Sequence, residues 1–184
     1  MNRNTFSSFC SSMFIRLFMT DIGCFLLSFF IISISSNSLV RALIQIINIL
    51  IITAVVYSLA RDRGTRDIVL IESGHKKRSL LKGFWVGLIA TSPFLLSGIV
   101  LLVSRIFGVP ANFIGYYKMI NAFFFPFHYS VMPADLTIME IAWSDILLSL
   151  STLLVIPILS MLSYWIGLSK FSFNEVVFYK KTKE

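Results

Sequence analysis

The sequence predicts an all-α, polytopic membrane protein: a bundle of four transmembrane helices with both termini cytoplasmic. Three observations predict it. First, 57% of the 184 residues are apolar and only 14% are charged, where an ordinary soluble domain carries roughly 25% charged residues. A soluble fold of this size has too little interior to bury that much apolar surface, 18 Phe residues included, whereas lipid lets the outside of a bundle be apolar as well. Second, four windows reach the roughly 20 apolar residues needed to cross the hydrocarbon core. Third, the basic residues cluster in the short segments between those windows, as the positive-inside rule expects.

The chain reads as a single integral membrane domain. Its spans are expected at about 14–35, 41–60, 84–107 and 141–168. The first two are joined by SSNS, Ser35 to Ser38, a turn-like cluster that makes them a tight antiparallel hairpin. Residues 61–83 form the expected cytoplasmic loop and 108–140 the outer connection. With the N-terminus inside, thirteen Lys and Arg residues fall on the inner side. Three fall on the outer side: Arg41, Arg105 and Lys118. That asymmetry sets the orientation and places the protein in the cytoplasmic membrane as a multi-pass chain.

The net charge of +7 does not point to nucleic acid, because the cations lie between apolar runs rather than on one face. Arg3 and Arg16 would suit the basic start of a cleaved leader, but Asp21 interrupts the apolar segment and no small-residue cleavage site follows, so the first span is read as uncleaved. Cys10 and Cys24 have neither metal-ligand spacing nor the context of a disulfide.

The stretch 61–83 gathers seven of the sixteen basic residues. Lys76, Lys77, Arg78 and Lys82 stand beside Leu80 and Leu81, which reads as a segment on the inner membrane surface with its cations at anionic headgroups, each worth about 1 kcal/mol. An ordinary positive-inside loop is the plainer alternative. Gly64, Gly74 and Gly83 fit no phosphate-binding spacing. In the outer connection Tyr116, Tyr117, Phe123, Phe124, Phe125, Phe127 and Tyr129 crowd together, broken by Pro126 and Pro133. The expectation is an interfacial segment, since amphipathic rings favour that depth. A re-entrant segment over about 117–132 is the alternative, and its non-helical backbone would need protein or water around it.

Charges at membrane depth need partners. Asp21 is expected near the inner end of span one, paired with Arg61 or Lys82. Arg41, Gln45 and Asn48 are spaced i, i+4, i+7 and so share one face of span two. They form either an interhelical hydrogen-bonding stripe or one wall of a polar cavity. Arg105 and Asp145, with Arg41 and Glu140, are expected to form a second charge layer at the outer side. Pro93 and Pro157 fall at matching depth in spans three and four, facing each other near the midplane. Each frees a carbonyl, and the neighbouring Thr91, Ser92 and Ser160 are placed to satisfy it.

No catalytic motif appears. His75 and His128 fall on opposite sides of the membrane and cannot share a metal. His128 with Asp135 and Glu140 is the best that an outer site could assemble. The reading leans away from an enzyme, with no metal or cofactor expected.

Two sets of residues carry a resemblance. Gly64, Arg66 and Asp67 after one span are followed by Lys82-Gly83-Phe84, Gly87 and Pro93 entering the next. The chain closes on Tyr164-Trp165-Ile166-Gly167, Lys170 and Val177-Phe178-Tyr179-Lys180. Over about half its length the sequence thereby resembles an uncharacterised family of small four-span integral membrane proteins of low-GC Gram-positive bacteria. The resemblance implies a bacterial cytoplasmic-membrane protein and lends no catalytic or binding residues. Two functions are compatible with these features: a non-enzymatic membrane subunit or accessory/scaffold component, and a small transporter or channel formed by a homo-oligomer. The expected partners are the bilayer with its anionic headgroups and either further copies of the chain or a membrane protein partner.

Overall fold

The structure, a computed structural model, describes residues 3–34, 37–75, 77, 79, 81–108, 113–133 and 136–169. It is all-α. Helices α1 (Arg3–Ile34) and α2 (Ser38–Glu72) form the first hairpin. Then come α3 (Leu81–Ala90), α4 (Ser92–Ile106), α5 (Phe113–Ile120), a 3₁₀ turn (Ala122–Phe124) and α6 (Phe125–Val131). Helix α7 (Trp143–Ser151), a second 3₁₀ turn (Thr152–Leu154) and α8 (Val155–Leu168) complete the described chain. Among the described residues, three helical stretches are long and apolar enough to cross a membrane: Phe6–Ile34, Ser38–Glu72 and Trp143–Leu168. A fourth qualifies if the bent pair α3–α4 counts as one.

Helix α8 is the centre of the bundle, packed between α2 and α3. Glycine makes both contacts close. A Cβ at Gly64 of α2 would lie 2.4 Å from the Tyr164 carbonyl oxygen, and one at Gly167 would lie 2.2 Å from that of Arg61. On the other side, a Cβ at Gly87 of α3 would sit 2.8 Å from the Pro157 Cα, and Ser160 Oγ donates to the Gly83 carbonyl at 2.9 Å. Small residues at such crossings let two backbones gain dispersion contact that lipid cannot offer in exchange.

Helix α2 continues about three turns beyond its expected end at residue 60, so most of the predicted loop 61–83 is helix. Its buried residues Ile44, Asn48, Ile52, Val56, Ala60, Gly64 and Ile68 recur at every fourth position without a break. The charged residues Arg61, Asp62 and Arg66 fall between them, on the other faces. Charge ended the apolar window but not the helix, because the packing stripe runs through it.

Span three is broken rather than continuous: α3 and α4 meet at a bend of 62° beside Pro93. The break is locally satisfied as expected. Proline cannot donate to the Ile89 carbonyl, and Ser92 Oγ donates to it at 2.8 Å instead. Thr91 Oγ1 donates to Gly87 at 2.8 Å. In span four the break is the 3₁₀ turn ahead of Pro157. There the expectation for Ser160 fails, since its hydroxyl crosses to Gly83. Nor do the prolines face each other. Pro157 is buried against Gly87, while Pro93 lies exposed in a lateral recess six residues further on, about 9 Å along the helix.

The outer connection departs from the interfacial expectation and is nearer to the inserted alternative. Residues 113–131 do not lie flat across the bundle end. They form a helical hairpin inserted between α1, α2 and α4, with Ala122, Phe123, Phe124 and His128 buried. The bend at Thr91 swings α4 aside and opens the wedge that this hairpin fills.

Replacing Gly64 or Gly167 by Ala is expected to destabilise the protein by about 1–3 kcal/mol, because the new methyl meets backbone that cannot rotate away. Gly23, with nothing within 4 Å of its Cβ position, is the control; Gly23→Ala should leave stability unchanged or slightly raised. Thermal unfolding in mild detergent measures all three.

Candidate functional site

Two polar clusters interrupt the apolar interior. The first surrounds the tip of the hairpin. Asn48 lies ten residues into α2 and Asp21 thirteen residues from the end of α1, about 15 and 20 Å from the Ser38 end of the bundle. Asp21 Oδ1 accepts from the Phe123 amide at 3.3 Å. Gln45 Nε2 donates to the Phe123 carbonyl and Gln45 Oε1 accepts from the Phe127 amide, both at 3.1 Å. Asn48 Nδ2 donates to Ser28 Oγ at 2.9 Å and reaches the Ala122 carbonyl at 3.5 Å. Asn121 Nδ2 ties the tip to α4 through Ser97 Oγ at 2.8 Å. The Tyr117 hydroxyl donates to the Ser149 carbonyl at 3.0 Å, where α7 gives way to the 3₁₀ turn. Non-helical backbone at this depth must find partners in protein, and α1 and α2 supply them.

The stripe Arg41, Gln45, Asn48 therefore does share one face, and that face is covered by the hairpin. Arg41 completes it near the bundle end, its guanidinium 5.4 Å from the Tyr129 ring centroid. Asp21 departs from expectation twice. Helix α1 begins at Arg3, so Asp21 lies five turns in rather than near an end. Its partner is also not Arg61 or Lys82 but the amide of Phe123. The side-chain oxygens of Asn48 and Asn121 are buried with no hydrogen-bond partner among the described residues.

The expected outer charge layer does not assemble. Arg105 donates to the Ile138 carbonyl at 2.9 Å and lies 5.3 Å from the Trp143 ring. Asp145 contacts its neighbour Ser144 at 3.5 Å. Glu140 Oε2 accepts from Thr137 N and Oγ1 at 2.7 and 2.9 Å, and these bonds hold its carboxyl below the usual range. Each group is satisfied by a neutral partner nearby. His128 is likewise apart from Glu140. It is fully buried against Tyr117, Phe124 and Phe127, with Nε2 3.3 Å from Thr152 Oγ1. Asp135 lies outside the described residues.

The second cluster sits at the opposite, basic end. Lys82 Nζ pairs with Asp67 Oδ2, and the Tyr164 hydroxyl donates to the same oxygen at 2.7 Å. Asp67 is only 2% exposed and Lys82 11%. Lys82 was expected at lipid headgroups; it is instead half of a buried ion pair that joins α2, α3 and α8. Lys77 is exposed, while Lys76 and Arg78 lie outside the described residues. Above the pair opens a cleft of about 700 Å³, lined by Phe6, His75, Lys77, Ser79, Lys82, Trp85 and Tyr164 among others. Sequence reasoning missed this cluster. Its signal was the pairing of Asp67 with Lys82 across one short connection, hidden by treating both as loop.

Gln45→Leu strands the Phe123 carbonyl and the Phe127 amide, with an expected loss of about 1–3 kcal/mol. Asn48→Leu should also destabilise, and the double variant should lose less than the sum because both side chains hold one tip. Chemical unfolding of the four proteins tests this. At the basic end, Lys82→Met leaves a buried carboxylate uncompensated, an expected cost of about 3–5 kcal/mol. Adding Asp67→Asn should recover part of it, measured in the same assay.

No protein-family model, curated protein or solved structure matches the chain.

Proposed function

We propose that this chain is a multi-pass protein of a bacterial cytoplasmic membrane, both ends cytoplasmic, that serves as a non-enzymatic subunit or scaffold beside a larger membrane complex. The observation that carries this reading is the covered stripe. Of the side chains best placed to line a polar pathway, Gln45 is hydrogen-bonded to the hairpin backbone, and Asn48 to Ser28 of α1 with a 3.5 Å reach to the Ala122 carbonyl of the hairpin. Their role is to hold an inserted segment in place. The charge asymmetry of thirteen against three supports the orientation.

A second reading, a small transporter formed by a homo-oligomer, draws on two features. A re-entrant hairpin meets a carboxylate at mid-depth, and two buried amide oxygens at its tip lack partners. An apolar recess of about 310 Å³ also reaches Asp21 from the side, between α1 and α4.

Native mass spectrometry of the protein extracted gently from its own membrane separates the two. A stoichiometric complex with a different protein is expected. A defined homo-oligomer without a partner would overturn the subunit reading in favour of a carrier. Asn48→Leu would then alter flux in liposomes by more than its loss of stability explains.

A further inference from the structure

We infer that the cleft at the basic end is a binding site for one anionic phospholipid, its headgroup held at the rim formed by His75, Lys77 and Ser79 and its glycerol and upper acyl chains lying along Phe6 and Trp85. Three features on different elements converge there. The volume, about 700 Å³, falls in the range of sites that enclose a small ligand and suits a headgroup with its glycerol better than an isolated inorganic anion. The walls are apolar and aromatic: Phe6 from α1, Trp85 from α3 and the Tyr164 ring from α8. Trp85, one turn into α3, is half exposed, and an indole near a helix end suits the headgroup level.

The rim is cationic. His75, Lys77 and Ser79 line the cleft, and Lys77 puts an exposed ammonium on its rim. The acid beneath the cleft, Asp67, is engaged by Lys82 and the Tyr164 hydroxyl. That pair fixes the floor and leaves the rim to set the sign of the site. An apolar wall continuous with a basic rim is complementary to a molecule that is anionic at one end and hydrocarbon at the other. Basic pockets between membrane helices bind lipid headgroups on these terms. The site differs from a diffuse surface charge because Lys77 stands on the rim of a shaped recess, so one lipid should stay bound where bulk lipid exchanges.

The test is native mass spectrometry of the full-length protein in detergent, titrated with phosphatidylglycerol or with phosphatidylcholine of identical acyl chains. One retained phosphatidylglycerol per chain is expected, with little phosphatidylcholine. Lys77→Gln should weaken retention about fivefold, the effect of one cation at the surface, and Trp85→Ala should weaken it as well. Both side chains are exposed, so neither variant should fail to fold. Arg66→Gln, which removes an equal charge from an exposed position of α2 outside the cleft, should leave retention unchanged. Equal retention of the two lipids would overturn the proposal. So would an equal fall for Arg66→Gln and Lys77→Gln, which would reduce the site to diffuse charge. Displacement of the lipid by inorganic phosphate would identify a soluble-anion site instead, and would equally overturn it.

Discussion

The close approach of α8 to α2 and α3 is the constraint on which the rest of this structure depends. In lipid no hydrophobic force drives helices together, since the acyl chains are as apolar as the side chains they would replace. Association must come from contacts that lipid cannot make, and backbone on backbone through glycine is the densest of these. Gly64 and Gly167 bring α2 onto α8, and Gly83 and Gly87 bring α3 onto its other side. The Asp67–Lys82–Tyr164 cluster then ties all three helices at one end. Burying that pair confers little net stability, but losing one partner is costly. The cluster therefore acts chiefly on register, holding the glycines opposite their seats.

The other half of the bundle obeys a different rule. Where α3 and α4 diverge at Thr91, the three-helix packing cannot continue, and the gap is filled by a segment that brings unpaired backbone with it. Every polar side chain at the tip follows from that. Gln45 serves both a carbonyl and an amide, Asp21 accepts from an amide, and Tyr117 serves the carbonyl of Ser149 at the irregular turn. Proline, hairpin and polar stripe are thus one construction: the bend makes the space, the hairpin occupies it, and the stripe satisfies what the hairpin cannot satisfy for itself.

Much of this was legible in the sequence, for identifiable reasons. Apolar length and composition give the helices. The i, i+4, i+7 spacing gives the shared face of Arg41, Gln45 and Asn48, and Ser92 beside Pro93 gives the repair of the broken span. What was not legible depends on three-dimensional partners. The roughly three extra turns of α2 are invisible to a hydropathy window because their reason is a packing stripe on one face only. The insertion of 113–131 could not be weighed without knowing that α4 swings aside. Asp21 was assigned a cation by the general rule for buried acids, yet a tip rich in unpaired amides offers a partner that only chain topology reveals. Lys82 was read by its neighbours in sequence rather than by Asp67, which α2 carries to it.

Helix α2 also bears on how the molecule sits in a bilayer. Its 35 residues span about 52 Å, whereas a hydrocarbon core is about 30 Å thick. The surplus carries Arg61, Asp62, Arg63 and Arg66, which resist entering hydrocarbon, so the helix behaves as a gauge of thickness with a fixed stop. In a thinner membrane tilting is one way for it to answer. Seated on it through Gly64, α8 must tilt too, and α3 follows through Gly83 and Gly87. The bundle would thus answer a change in bilayer thickness by tilting together, the inserted hairpin carried with α2 through Gln45.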